Sequence, residues 1–323
     1  MENKYVEVKA YPTIGIILLG GVSDNKNRLP LHTTAGIAYT GINDDIYVKT
    51  DLYVSDQEEG FINGEKVNVN SERSPFRVID KYKNDILLRV GYSDKNLSFK
   101  SENVNVLSGS SDAGAAALGE CIQSIFEYNI NIFTFENDLQ KISESAGRSL
   151  YGGLTINHAN GKESLTDEIL GEKYFKDYVI VGCHFSEKRK PSDEIHKNII
   201  NHPDYSERVK NSEIKSKELE KLADAHDVKK IFELGERDSE EYHKMLVEVG
   251  VHIILPEMQA FINRIKDMKN DFWNSYIVTG GTNVFVAVDK ENKEKVGDEA
   301  KKFNAEPVYL KVAGKPEVVS KNF

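Results

Sequence analysis

The chain has 323 residues, 39% of them hydrophobic and 29% charged. That is long enough for about two domains and for burying about three quarters of the unfolded surface. Its 52 acidic and 42 basic residues give a formal charge of −10, which argues against a nucleic-acid binder held by a general basic field. Small anions stay open, because a local cluster of Arg and backbone N–H groups can hold phosphate on an acidic protein. Two cysteines, Cys121 and Cys183, are too few for a disulfide framework or a cysteine zinc site and fit a reducing cytoplasm. The apolar run Ile14–Leu19 is far short of the ~20 residues of a membrane span, and the stretch before it lacks a basic n-region, so neither a span nor a signal peptide is expected.

In chain order, Ile14–Leu19 and Ile46–Val54 read as strands. Ser74-Pro75 reads as a cap followed by proline at the first helical position, opening a helix through Val78, Ile79, Tyr82, Ile86 and Leu87. The small-residue segment Ser108–Gly119 is a loop feeding a helix with Leu118, Ile122, Ile125 and Phe126 at helical spacing. The next predicted helix carries Phe135, Leu139, Ile142 and Ala146 and stops near Gly152-Gly153. Tyr178–Cys183 reads as a buried strand, and a domain boundary near residue 178 divides an N-terminal domain (1–178) from a C-terminal α+β domain (179–323). Charged helices follow at Tyr205–Ala225, Ser239–Val249 and Pro256–Met268, then strands at Val284–Val288 and Val308–Val312.

Four segments could carry chemistry. In Ser108–Gly114, two glycines let backbone approach a ligand, three serines add hydroxyls, and the following helix points its free N–H groups at whatever sits there, for which phosphate is the natural guest. The same run also fits a helix start packed tightly on a sheet. It has neither the lysine of a P-loop nor a dinucleotide fingerprint. In Ser143–Gly153, Glu144 and Arg148 are four apart, which on a helix makes an ordinary ion pair. Thr279-Gly-Gly-Thr-Asn283 reads as a hairpin turn, and Lys188-Arg189-Lys190 as a solvated basic loop. His196 and His243 form no metal-binding spacing, so no histidine metal site is expected.

Taken together and in this order, Tyr11-Pro-Thr-Ile-Gly15, the loop at 108–119, Ser143-Glu-Ser-Ala-Gly-Arg-Ser-Leu-Tyr-Gly-Gly153 and Gly281-Thr-Asn283 resemble the GHMP kinase superfamily. Within it they resemble the mevalonate diphosphate decarboxylase branch, over nearly the whole chain, and most closely the archaeal mevalonate 3-kinases. The resemblance implies a two-domain α/β (α+β) GHMP kinase fold with its active-site cleft between the domains. It also implies ATP phosphates over Ser108, Gly109, Ser110, Ser111 and Asp112, with Mg2+ arriving through ATP and Ser111 as its one protein candidate. Asn103 is a candidate adenosine contact, and a homodimer is common in the family.

The departures from the branch are informative. Its Asn-Ile-Ala-x-x-Lys-Tyr-Trp-Gly-Lys run is replaced by Thr13-Ile-Gly-Ile-Ile-Leu18-Leu19-Gly20-Gly21-Val22, so both lysines and the tyrosine are gone. Its catalytic Asp falls on Thr279, and a glycine of its Ser-Gly-Ser-Ala stretch becomes Glu144, a carboxylate expected to repel a 5-phosphate and accept from a 5-hydroxyl. The implied substrate is unphosphorylated mevalonate, converted to mevalonate 3-phosphate without decarboxylation in a modified mevalonate route to isoprenoids. Arg148 would clamp its carboxylate, Ser108 and Thr279 border the reacting hydroxyl, Leu18 touch the carbon skeleton, and Arg189 complete the far end. The alternatives are a true decarboxylase of a phosphorylated mevalonate and, from another class, a non-catalytic ligand-binding protein.

Overall fold

A computed structural model describes residues 4–24, 26–186 and 190–323. The first part of the chain forms β1 (Tyr5–Ala10), β2 (Thr13–Ile17), β3 (Thr34–Gly41), β4 (Tyr47–Ser55), β5 (Gly60–Ile62), β6 (Glu65–Lys66), α1 (Phe76–Val90), β7 (Asn96–Val104), α2 (Ser110–Ile125), α3 (Ile132–Gln140) and α4 (Ala146–Tyr151). Then come β8 (Leu154–Ala159), β9 (Ser164–Leu170), β10 (Tyr178–His184), α5 (Ser192–Ile199), α6 (Tyr205–Asp224), α7 (Val228–Glu248), α8 (Pro256–Asp267), β11 (Asn274–Val278), β12 (Asn283–Asp289), α9 (Lys293–Lys302), β13 (Glu306–Val312) and β14 (Glu317–Asn322).

Two sheets organise these elements. One runs β14-β1-β4-β7-β5-β6, and the other β11-β12-β10-β13-β3-β8-β9 with β2 paired to β3. In β1 the residues alternate between partly exposed and buried, as a sheet with one covered face requires. Helix α2 covers that face: its Ala113, Ala116, Ala117 and Cys121 are buried against Val6, Val8 and Val48, and side chains this small bring helix and sheet close together. Strands β10 and β12 are buried along almost their whole length, between a core holding Phe232, Phe285 and Leu310 on one side and one holding Tyr242, Phe261 and Ile265 on the other. Among the described residues, no helix is long and apolar enough to cross a membrane.

Two helices depart from the sequence expectation. Helix α7 begins at Val228 rather than Ser239, because Asp227 caps it by accepting from Lys230 N at 3.2 Å and Ile231, Phe232 and Leu234 continue its buried stripe. The helix expected through Phe135 and Ala146 is two helices, broken over residues 141–145. The break lies at Ser143-Glu144-Ser145, where Ser143 donates its hydroxyl to Asp112 Oδ1 at 2.6 Å. Serine favours such non-helical bonding over a helix interior.

Candidate active site

The first wall is built by the loop and start of α2. Gly109 caps the helix with φ 77°, and a Cβ there would lie 2.6 Å from the Thr13 backbone N, so only glycine fits. Ala113 N is the first amide of the helix to bond back, to Gly109 O, which leaves the N–H groups of Ser110, Ser111 and Asp112 without intrahelical acceptors. Tyr39 holds Ser108 by donating to its carbonyl at 2.7 Å and accepting from its N–H at 3.0 Å. Asn283 donates to the neighbouring Leu107 carbonyl at 3.1 Å.

The Asp112 carboxylate faces inward. It accepts from Thr13 Oγ1 and Ser143 Oγ, both at 2.6 Å. Burial raises its carboxyl above the ordinary range against these two bonds and the Arg148 charge. Its side chain therefore braces β2 to the 143–145 segment, leaving its amide for a ligand.

Arg148 lies on α4 with its guanidinium buried beneath β2 and β3. A Cβ on Gly36 would lie 2.7 Å from Arg148 Cδ, so the floor under this side chain has room for nothing larger than glycine. Among the described residues its buried Nε has no partner, and its one hydrogen bond is a 3.5 Å contact to Ile17 O. Among the described residues it makes no ion pair. Burial lowers its affinity for its proton, opposed by the more distant charges of Asp112, Glu144 and Asp238. A buried guanidinium with no carboxylate of its own is a receptor for one from outside.

Glu144 is not the helical ion-pair partner of Arg148 that the spacing implied. It precedes α4, and its Oε2 accepts from Arg28 Nε and Nη2 at 3.1 and 2.9 Å and from Arg73 Nη2 at 3.4 Å. His196 on α5 approaches Oε1 at 3.1 Å through Nε2, while its Nδ1 accepts from Gly21 N at 3.3 Å. Burial works to raise the Glu144 carboxyl, but the hydrogen bond and charge of His196, with the charges of Arg73 and Arg28, outweigh it and hold the group well below the carboxylate range. Its repulsion of a phosphate is thus largely compensated by two arginines that sequence reasoning passed over, along with His196.

Leu18 enters the cavity from the end of β2, and the third wall comes from the turn between β11 and β12. Thr279 places Oγ1 3.5 Å from Ser108 Oγ. The strand end before it is fixed from α7, where Ser239 Oγ and His243 Nε2 both reach Val278 O, at 3.0 and 2.9 Å. Burial pushes the His243 imidazole down to about 4, so it donates as a neutral ring.

Leu18, Ser108, Gly109, Ser110, Ser111, Asp112, Glu144, Arg148 and Thr279 line one cavity of about 310 Å³. Arg189 and Lys188 lie outside the described residues, and Lys190 stands at the cavity's rim, paired with Glu194 at 3.1 Å. Asn103 lines a second cavity of about 240 Å³ that shares Ser110 and Ser111 with the first and is otherwise walled by groups such as Phe99, Ala115 and Leu118. One cleft thus joins an apolar chamber, a helix N-terminus, a pair of hydroxyls and a buried guanidinium.

Residues 190–294 match the mevalonate-3-kinase C-terminal domain, and residues 10–167 the diphosphomevalonate decarboxylase-like N-terminal domain. A mevalonate-3-kinase of Picrophilus torridus is 61% identical over the full length of both chains. The crystal structure of the Thermoplasma acidophilum mevalonate-3-kinase with mevalonate 3-phosphate and ADP bound is 38% identical, superimposes with a TM-score of 0.94, and is matched over 99% of this chain and all of that one. The mevalonate diphosphate decarboxylase of Staphylococcus aureus, 18% identical and matched over 98% of each chain, shares the fold with a TM-score of 0.80. The chain belongs to the mevalonate 3-kinase family.

Proposed function

We infer that this protein transfers the γ-phosphoryl group of ATP to the tertiary 3-hydroxyl of mevalonate, releasing ADP and mevalonate 3-phosphate. The observation that carries this reading is the Arg148 guanidinium, buried and unpaired among the described residues, facing the same cavity as the N–H groups at the start of α2. The cleft therefore offers two separate anion receptors, one fit for a carboxylate and one for phosphates, with the hydroxyls of Ser108 and Thr279 lining the same space.

In this reading Arg148 takes the substrate carboxylate, Leu18 packs on the carbon skeleton, and Ser108 and Thr279 flank the 3-hydroxyl. The free lone pair on Glu144 Oε1 accepts from the 5-hydroxyl, and Arg189 belongs to that same end. The backbone of Gly109, Ser110, Ser111 and Asp112 holds the nucleotide phosphates, and the chamber containing Asn103 holds the adenosine. Among the described residues no group of three His, Cys, Asp or Glu side chains could hold a metal, and the Asp112 carboxylate is committed to Thr13 and Ser143. Mg2+ would come with the nucleotide, with Ser111 Oγ as its candidate protein ligand, and would supply neutralisation of phosphate charge.

Phosphoryl transfer passes through a loose transition state in which in-line placement and charge neutralisation outweigh early deprotonation. Thr279 has no ionisable group, so the 3-hydroxyl keeps its proton until the new P–O bond is forming and then releases it to a phosphoryl oxygen or to solvent. Phosphorus NMR with carbon dioxide detection, on the protein with MgATP and mevalonate, tests the reading. A tertiary phosphate monoester without gas is expected. A primary phosphate would mean that the substrate lies the other way round, and gas release only with a 5-phosphorylated substrate would mean a decarboxylase.

A further inference from the structure

Glu144 sits in an ion cluster that closes on itself. Arg28 is fully buried, and its Nη2 reaches both Glu144 Oε2 at 2.9 Å and Asp193 Oδ1 at 2.8 Å. Arg73 adds contacts of 3.4 Å to Glu144 and 3.9 Å to Asp193, and spends its other donors on Ile142 O and Ser192 Oγ. Two guanidinium charges therefore face two carboxylates, and the His196 ring completes the cluster. Four stretches of chain meet here: the loops holding Arg28 and Arg73, the break before α4, and the start of α5. Among the described residues this leaves no uncommitted buried cation at the Glu144 end of the cleft, although two arginines are present.

We propose that Arg28, with Arg73 behind it, is a positioning and specificity residue. By spending its charge on Glu144 it aims that carboxylate at a substrate hydroxyl and withholds the two guanidinia beside it from a 5-phosphate. Selectivity then comes less from repulsion by a bare carboxylate than from arginines already occupied by an internal anion. Removing Glu144 frees those guanidinia, and a phosphate on the substrate takes the place of the lost carboxylate. This rests on the reading above that the 5-hydroxyl lies beside Glu144.

The test measures ADP release with mevalonate and with mevalonate 5-phosphate for the wild type, Glu144→Ala, Glu144→Ala/Arg28→Lys and Glu144→Ala/Arg28→Met. Glu144→Ala is expected to shift kcat/KM toward the 5-phosphate by roughly ten- to hundredfold, the worth of one or two charge-assisted hydrogen bonds. Arg28→Lys in that background keeps most of the gain, and Arg28→Met abolishes most of it. An unchanged preference in Glu144→Ala, or the same gain with and without the Arg28 charge, overturns the proposal. If thermal melts show that the methionine variant does not fold, ionic strength decides with Glu144→Ala alone. Salt must then raise KM for the 5-phosphate more than KM for mevalonate, and equal salt dependence overturns the proposal. Failure of the underlying reading looks different, because the wild-type product would then carry its phosphate somewhere other than the 3-oxygen.

Discussion

Leu18 and Asp238 are joined across 220 positions of sequence: the Leu18 N–H donates to Asp238 Oδ2 at 2.7 Å. Arg208, paired with the same carboxylate at 3.1 Å, donates to the Leu18 carbonyl at 2.6 Å. A buried ion pair thus clamps both polar groups of a residue whose own side chain is apolar. Tyr242 extends the clamp by donating to the Leu19 carbonyl at 2.9 Å.

Asp238→Asn is therefore expected to destabilise the fold by about 3–5 kcal/mol, since it leaves Arg208 buried without its counter-ion and Lys215 with Glu241 alone. Burial raises the Asp238 carboxyl, but the charges of Arg208 and Lys215 prevail and hold it down to about 2. Its folded value lies below its unfolded one, so its contribution is complete above about pH 4 and is lost as the pH falls toward 2. The size is about 2 kcal/mol. Urea unfolding across that window should show a steep loss in the wild type and a shallower one in the variant, with KM for mevalonate raised.

Glu136 carries the opposite sign. It is buried on α3, accepts from Thr166 N at 3.2 Å and from Thr166 Oγ1 at 2.5 Å, and burial pushes its carboxyl up to about 7 in spite of those bonds. A raised folded value stabilises below the ordinary glutamate range and is lost as the pH climbs from about 4.5 to 7, a change of about 3 kcal/mol. With Asp238 failing on the acid side, stability should be greatest at mildly acidic pH. Glu136→Gln, which mimics the protonated group, should flatten the fall toward neutrality, and unchanged pH dependence of urea unfolding would count against it.

Arg148→Met should separate activity from stability. The guanidinium is buried without a carboxylate, so its removal is expected to leave the melting temperature unchanged or raise it. The same change should lower kcat/KM for mevalonate by at least about a hundredfold, through loss of a bidentate carboxylate contact. A large fall in melting temperature with activity retained would contradict this assignment.

Thr279→Val tests how little this reaction depends on a base. With late proton loss, kcat should fall by no more than about tenfold. A loss of several thousandfold, with nucleotide affinity intact, would make the Thr279 hydroxyl an essential hydrogen-bond partner in the transition state and overturn this expectation.

Local pattern made much of this legible. The apolar runs of β2, β4 and β10, the proline at the start of α1 and the serine-glycine approach to α2 are properties of neighbouring residues. The partners of Glu144 are not. Arg28, Arg73 and His196 come from 116, 71 and 52 positions away, and nothing around an arginine in a loop marks it as a counter-ion. The break before α4 is similarly non-local, because Ser143 leaves the helix to reach Asp112. In α9 the stretch KEKVGDEAKK is charged almost throughout, with Val296 and Ala300 as its buried apolar anchors, too thin a stripe to announce a helix.

The pairing of β1 with β14 sets Tyr5 opposite Asn322, while the other edge of β1 pairs with β4. On the ribosome, β1 emerges some three hundred residues before β14, one of its two neighbours. During that interval β1 offers an open edge to any other extended chain nearby. The sheet under helix α2 is therefore closed on this side only once β14 has been made.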